Sequence, residues 1–227
     1  MKLNLHDSYN IRARLCPSII LLSPIPLTLF FCFKDIYNLV TSSILICVLM
    51  ALTNYIPILQ RYLCEGKIST INYAAQYLEP NDQTFDSTTK KRYYNKLAEC
   101  NPCFSQLFHP NSNEELMNYC KSAVSYIRNR TRDNHLVLEE NINHGFCKNM
   151  ILNRPIGIIL CIMLSLFSAP YCFLLAYFKK TIPLGAYVSI GSNILFLLFW
   201  IFGIKNEMLE QSAKKYAQTL IEAIDTL

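Results

Sequence analysis

The chain has 227 residues, 52% of them hydrophobic and 16% charged, with a formal net charge of +5. A soluble domain carries about 25% charged residues, so this balance excludes an ordinary water-soluble globule. The positive charge suits an anionic membrane leaflet as well as it suits a nucleic acid.

Fourteen mostly polar residues (1–14) come first. Four uncharged runs then stand out: Leu15–Phe33 with 19 residues, Ile36–Gln60 with 25, Pro155–Phe178 with 24 and Ile182–Ile204 with 23. A spanning helix needs roughly 20 apolar residues, and hydrocarbon tolerates only internally hydrogen-bonded backbone. The pattern predicts an all-α polytopic membrane protein with four transmembrane helices in two hairpins, 15–60 and 155–204. Pro17, Pro24 and Pro26 predict kinks in the first span, because proline removes a donor and crowds the preceding turn. No small-x-small cleavage site follows that run, so it reads as a span rather than a signal peptide.

Between the hairpins, 61–154 reads as a small helical domain. Leu63, Ile71, Ala75 and Leu78 keep helical spacing after the second span, weakened at Gly66, and Glu79–Ser87 reads as a loop. Asp86 or Ser87 then caps a helix with Tyr93, Tyr94 and Leu97 on one side. Ser112 and Glu115 form a capping box ahead of the stripe Leu116, Cys120, Ala123, Val124 and Ile127, a helix expected to end near Asp133. Gly145 is expected to break the chain before the third span. The last segment, 205–227, predicts an amphipathic helix with Leu209, Tyr216, Leu220 and Ile224 on its apolar stripe and a Glu210–Lys214 pair on its wet side. That stripe needs covering, which suggests an oligomer contact or a cytoplasmic protein partner.

Lys2, Arg12, Arg14, Arg61, Lys67, Lys148, Arg154, Lys205, Lys214 and Lys215 flank one side of the predicted spans, and Lys34, Lys179 and Lys180 the other. The positive-inside rule then places both termini and the middle domain in the cytoplasm. The ten cysteines fall in spans or on that reducing side, where thiols stay unpaired. No Asp, Glu, Lys, Arg or His lies inside a run, which argues against ion-coupled transport, proton relay and voltage sensing. Small residues recur near fourfold spacing in the spans: Gly157, Cys161, Ser165 and Ala169; Ser43, Cys47, Ala51 and Asn54; Gly185, Ser189 and Asn193. Such stripes let helices approach closely, within one chain or between subunits around a pore.

The densest polar chemistry lies at 125–150. Arg128 or Arg130 ahead of His135 has the spacing of HEPN-type ribonucleases, with histidine as general acid or base and arginine steadying phosphorane charge. Cys100 and Cys103 with His109 have ligand-like spacing for zinc, completed by Cys120, His135, His144 or Cys147, although no second CxxC follows. The third reading is a charged ledge where the domain meets the bilayer. Arg128 and Arg132 share a helical face there, with His135 one turn on, and meet lipid phosphate alongside Lys148 and Arg154, or the acidic Glu139–Glu140. The ledge is the expectation; nucleic acid is the lesser partner, and no enzyme activity, metal or cofactor is expected.

In residues 85–97, 123–133 and 139–157 the chain resembles a family of uncharacterised bacterial four-span membrane proteins built as hairpin, cytoplasmic helical insert, hairpin. Thr89, Arg92, Tyr93, Thr131, Arg132, Asp133, Glu140, Asn141, Gly145 and Phe146 carry the likeness; Cys100, Cys103 and His109 do not belong to it. The architecture is also similar to small accessory or effector membrane proteins of anti-phage systems. The family brings no established activity with it; the expectation is a self-associating bacterial inner-membrane protein that couples a cytoplasmic helical domain to its spans, as a signalling or effector component in stress or anti-phage defence. The alternatives are a membrane-tethered ribonuclease and a passive channel or structural subunit.

Overall fold

The computed structural model describes residues 8–32, 39–64, 72–108, 112–179 and 184–227; side chains at 39–44, 57, 60–64, 172, 175, 176 and 179 fall outside that description. Every regular element among the described residues is helical. A π-helical turn, Asn10–Leu15, leads into α1 (Cys16–Leu22) and α2 (Pro24–Cys32). Then come α3 (Leu39–Cys64), α4 (Tyr73–Tyr77), α5 (Ser87–Cys100), a 3₁₀ turn at Pro102–Leu107, α6 (Asn113–Arg130) and α7 (His135–Lys179). The chain closes with α8 (Leu184–Leu198), a π-helical turn at Phe199–Gly203, α9 (Asn206–Glu222) and a 3₁₀ turn at Ala223–Thr226. Three helical stretches among the described residues are long and apolar enough to cross a membrane: Asn10–Cys32, His135–Tyr171 and Leu184–Gly203. The α3 helix has 26 residues, and its described apolar part is Leu45–Ile56.

The chain divides into two compact units. One comprises Met1–Ile68 and Gly145–Met208, the other Ser69–His144 and Leu209–Leu227. The C-terminal helix thus shares a unit with the middle segment from Ser69 to His144.

In the first unit, Leu21, Leu22, Ile56, Met150, Cys161, Trp200 and Ile204 form the buried core. Around it the helices turn apolar side chains outward, among them Ile159, Met163, Leu166, Phe173, Leu195 and Phe202. Exposed apolar surface on this scale does not persist against water; it is the surface of a membrane protein. The prolines act as expected but locally: helix geometry gives way at Ser23 between α1 and α2, while α7 continues through Pro155 and Pro170.

The second unit is a helical domain with its own core, including Leu78, Tyr93, Leu97, Leu107, Cys120, Ile127, Leu220 and Ile224. Its helix starts are capped by side chains. Asp86 accepts from the Thr89 amide at 2.9 Å, and Ser112 from the Glu115 amide at 3.1 Å, satisfying donors that a first turn leaves open. The Thr89 hydroxyl also donates to Asp86 at 2.6 Å, and this bond holds the carboxyl below its usual range.

Three expectations change. The α6 helix stops at Arg130, because Thr131 turns its hydroxyl back to the Ile127 carbonyl at 2.9 Å and Asn134 caps α7 through the Leu136 amide at 3.0 Å. Gly145 lies inside α7 and breaks nothing. Part of the C-terminal stripe is covered by its own unit: Leu220 and Ile221 of α9 and Ile224 of the turn after it are fully buried with α5 and α6 residues, while Leu209 and Tyr216 are half-buried.

Candidate functional site

The first unit places a polar seam inside an apolar bundle, and proline chemistry explains part of it. Pro17 has no N–H for the carbonyl of Ala13, four residues earlier. The Asn149 side chain donates to that oxygen at 2.6 Å. One turn on, Asn153 is fully buried and donates to the Pro17 carbonyl at 3.2 Å. Pro24 likewise leaves the Ile20 carbonyl without its usual donor, and Ser23 Oγ supplies one at 2.8 Å. Tyr171 donates to the Cys32 carbonyl, at the end of α2, at 2.9 Å. Hydrocarbon offers backbone no hydrogen bonds, so the Asn149 and Ser23 bonds replace those that the two prolines remove.

The pairing order gives the topology. Gly145, Asn149, Asn153 and Tyr171 meet Tyr9/Ala13, Ala13, Pro17 and Cys32 in turn, so α7 runs parallel to the N-terminal helices. Ser168 faces Ser189 at 3.5 Å while Arg154 donates to the Ile201 carbonyl at 3.1 Å, so α8 returns antiparallel to α7. Thr28 and Asn193, both fully buried, exchange hydrogen bonds of 3.0 and 3.2 Å between α2 and α8.

Of the small residues singled out in the sequence, Gly157, Cys161, Gly185, Ser189 and Asn193 sit at helix contacts. A methyl on Gly185 would lie 2.5 Å from the Phe31 carbonyl oxygen, and one on Gly157 would lie 2.4 Å from Trp200 Cε2. Trp200 is fully buried, and its indole N–H has no acceptor among the described residues. Ser165 bonds back to the Cys161 carbonyl at 2.8 Å; Ala169, Cys47, Ala51 and Asn54 are exposed, and the Ser43 side chain lies outside the described residues. Gly145 belongs to the same class: a methyl there would lie 2.8 Å from Tyr9 Oη and 3.0 Å from Ala13 Cβ. Sequence reasoning missed Asn149, Asn153, Thr28, Ser168 and Trp200.

The charged residues of 128–154 divide between the two units. Arg128 and Arg130 lie on α6, Arg132 in the following turn and His135 at the start of α7, all exposed. Arg130 lies over the Tyr126 ring, 5.3–5.6 Å being the range of such contacts here and 5.5 Å its own distance. Glu140 pairs with Lys215 of α9 at 3.1 Å, and among the described residues its second oxygen is buried without a partner. Four residues on, His144 stacks on Tyr216 with ring centroids 6.1 Å apart, and its Nδ1 lies 3.4 Å from Ser212 Oγ. Ser212 donates to the Leu209 carbonyl at 2.8 Å, so its oxygen can accept from that imidazole. Glu140 and His144 hold α9 against α7 within this unit. Lys148 and Arg154 belong to the first unit and are half-buried.

Cys100 and Cys103 are exposed, and His109 lies outside the described residues. Among the described residues no group of three His, Cys, Asp or Glu side chains could hold a metal ion. Cys120 is buried, and desolvation pushes its thiol up to about 12, which makes it inert at neutral pH. Lys90 and Tyr94, one turn apart on α5, reach back to the end of α4. Lys90 Nζ donates to the carbonyls of Glu79 and Asp82, and the Tyr94 hydroxyl to that of Leu78. Burial lowers the Lys90 ammonium below its usual range, opposed by Asp82 at 3.8 Å.

No family model matches this chain, and no match was found among curated proteins or solved structures.

Proposed function

We propose that this protein is a non-catalytic, self-associating inner-membrane protein with four spans, both termini and the second unit facing the cytoplasm, which couples that helical unit to its membrane bundle as a signalling or effector component. The observation that carries the reading is α7: a single helix supplies residues of the second unit up to His144 and of the membrane unit from Gly145 onward. Any rearrangement of the Glu140–Lys215 and His144–Tyr216 contacts acts on the helix whose next turns carry the Asn149 and Asn153 bonds.

Charge distribution supports the same assignment. The membrane unit carries 11 Lys and Arg against 4 Asp and Glu, the other unit 10 against 12. The excess positive charge thus lies in the segments that flank the spans, where anionic headgroups gather, and the acidic balance of the helical unit disfavours a general grip on nucleic acid. Arg12, Arg14, Lys148, Arg154 and Lys205 belong to the end of the bundle where α1 starts, α7 enters and α8 leaves, which fits one cytoplasmic face. A role in bacterial stress or phage defence is the physiological part of the proposal, resting on architecture alone.

The experiment is the mass of the full chain in lipid nanodiscs, with RNA cleavage assayed on the same sample. A particle holding several 26.2 kDa chains and no cleavage supports the proposal. A particle of one chain contradicts self-association, and cleavage abolished by His135→Ala contradicts the non-catalytic reading.

A further inference from the structure

The second unit carries an open cavity of about 530 Å³ against one face of α5, within the roughly 300–1,000 Å³ range of small-molecule sites. Thr88, Lys91, Arg92, Asn95, Lys96 and Glu99 line it, together with Asp225 of the C-terminal 3₁₀ turn. The α5 residues recur at alternating steps of three and one, which keeps all of them on one side of the helix. Among the described residues the lining includes no aliphatic or aromatic side chain. Such a cavity suits a strongly hydrated, charged ligand.

Its charge departs from that of the unit around it. The unit has 10 Lys and Arg against 12 Asp and Glu, yet here three cations meet two carboxylates. Arg92 donates to the Asp225 carboxylate at 2.8 Å. Among the described residues Lys91 and Lys96 have no ion pair. Arg92 and Lys96 stand four apart, a like-charge arrangement that destabilises an isolated helix, and Lys91 adds to the repulsion. An anion shared by all three relieves it.

Phosphoryl oxygens fit these donors best. Ammonium and guanidinium groups give them charge-assisted bonds, and the Asn95 carboxamide adds a neutral N–H. Lys91 with Arg92 and Asn95 with Lys96 form two donor pairs one helical turn, about 5.4 Å, apart. Two pairs at that separation address two phosphoryl groups.

We propose that this cavity binds a small phosphate compound with at least two phosphoryl groups, one held by Lys91 and Arg92 and the next by Asn95 and Lys96. Arg92 exchanges the Asp225 carboxylate for the ligand, so Asp225 competes with it. Free oligophosphates and phosphorylated lipid headgroups share this chemistry. The site lies wholly in the second unit and holds whether or not the chain self-associates.

The test is calorimetric titration of the full chain, in nanodiscs of zwitterionic lipid, with inorganic tripolyphosphate. Saturable binding of one tripolyphosphate per chain is expected. Lys91→Gln and Lys96→Gln should each weaken it roughly three- to tenfold, the worth of a charge-assisted bond near the surface. Lys121→Gln, at an exposed lysine of α6 outside the cavity, should leave it unchanged. Asp225→Asn should strengthen it about threefold by freeing Arg92. Helical circular dichroism of each variant should match the wild type. Absence of saturable binding, unchanged affinity in both cavity-lysine variants, or equal weakening by Lys121→Gln overturns the site. An unchanged affinity in Asp225→Asn overturns the Arg92 exchange. In nanodiscs of anionic phospholipid at the same physiological ionic strength, retained affinity assigns the cavity to a free phosphate, and lost affinity to a headgroup.

Discussion

Replacing Gly157 with alanine tests the closest helix contact in the membrane unit. The added methyl would lie 2.4 Å from Trp200 Cε2 and 2.6 Å from Cδ2 and Nε1, whereas carbon atoms rest at about 3.5–4.0 Å. The indole must therefore retreat by about 1 Å, or α7 and α8 must separate. Trp200 is fully buried in a core with Met150, Cys161 and Leu21, so its retreat meets packed side chains. Overpacking of this kind costs about 1–3 kcal/mol. Trp200 is the sole tryptophan, so its fluorescence reads the site directly. Wild-type emission should be blue-shifted and poorly quenched by iodide. In Gly157→Ala it should move to longer wavelength and quench more readily, with the unfolding midpoint in mixed micelles lowered. Followed by helical circular dichroism, the same alanine should cost under about 0.5 kcal/mol in a Trp200→Leu background, because the pair is coupled through one contact. Wild-type emission and stability in Gly157→Ala, or an undiminished penalty in the leucine background, would refute the steric account.

Other substitutions probe the seam and the helical unit. Asn153→Leu should destabilise the membrane unit by about 1–2 kcal/mol by removing its buried interhelical bond to the Pro17 carbonyl, while Asn54→Leu leaves unfolding within about 0.5 kcal/mol of wild type because that side chain is exposed. Leu220→Ala empties a fully buried position and should cost about 2–5 kcal/mol, measurable as accelerated proteolysis between α4 and α6. Tyr94→Phe should cost about 1 kcal/mol at neutral pH. Burial raises the Tyr94 phenol above its ordinary 10.0, so the folded state keeps that proton longer than the unfolded chain does. Its stabilisation is complete below pH 10 and is lost as pH rises beyond it; the phenylalanine variant should show a shallower alkaline decline.

The sequence made periodic features legible and paired ones obscure. The apolar runs, the caps at Asp86 and Ser112 and the stripe of α6 follow from local spacing, and all three appear as helical features of the fold. Gly145 misled because glycine in a polar stretch reads as a break on propensity; its purpose is the close approach of Tyr9 and Ala13, which only tertiary contact reveals. Asn149 and Asn153 escaped notice, since the Ala13 and Pro17 carbonyls to which they donate each lie 136 positions away. One signal was present: each proline in an apolar run frees a carbonyl, and a nearby asparagine or serine is the natural donor to seek. The α9 stripe was read correctly as apolar, but periodicity cannot say whether a helix is covered by its own chain or by another.

The proposed topology puts only residues 33–38 and 180–183 on the far side of the bilayer. Maleimide labelling of intact cells measures it, because Cys100 and Cys103 are exposed on the helical unit. An impermeant maleimide should leave both thiols unmodified until the inner membrane is opened, and should then modify them readily. Modification of Cys100 or Cys103 in sealed cells would place that unit outside and contradict the topology.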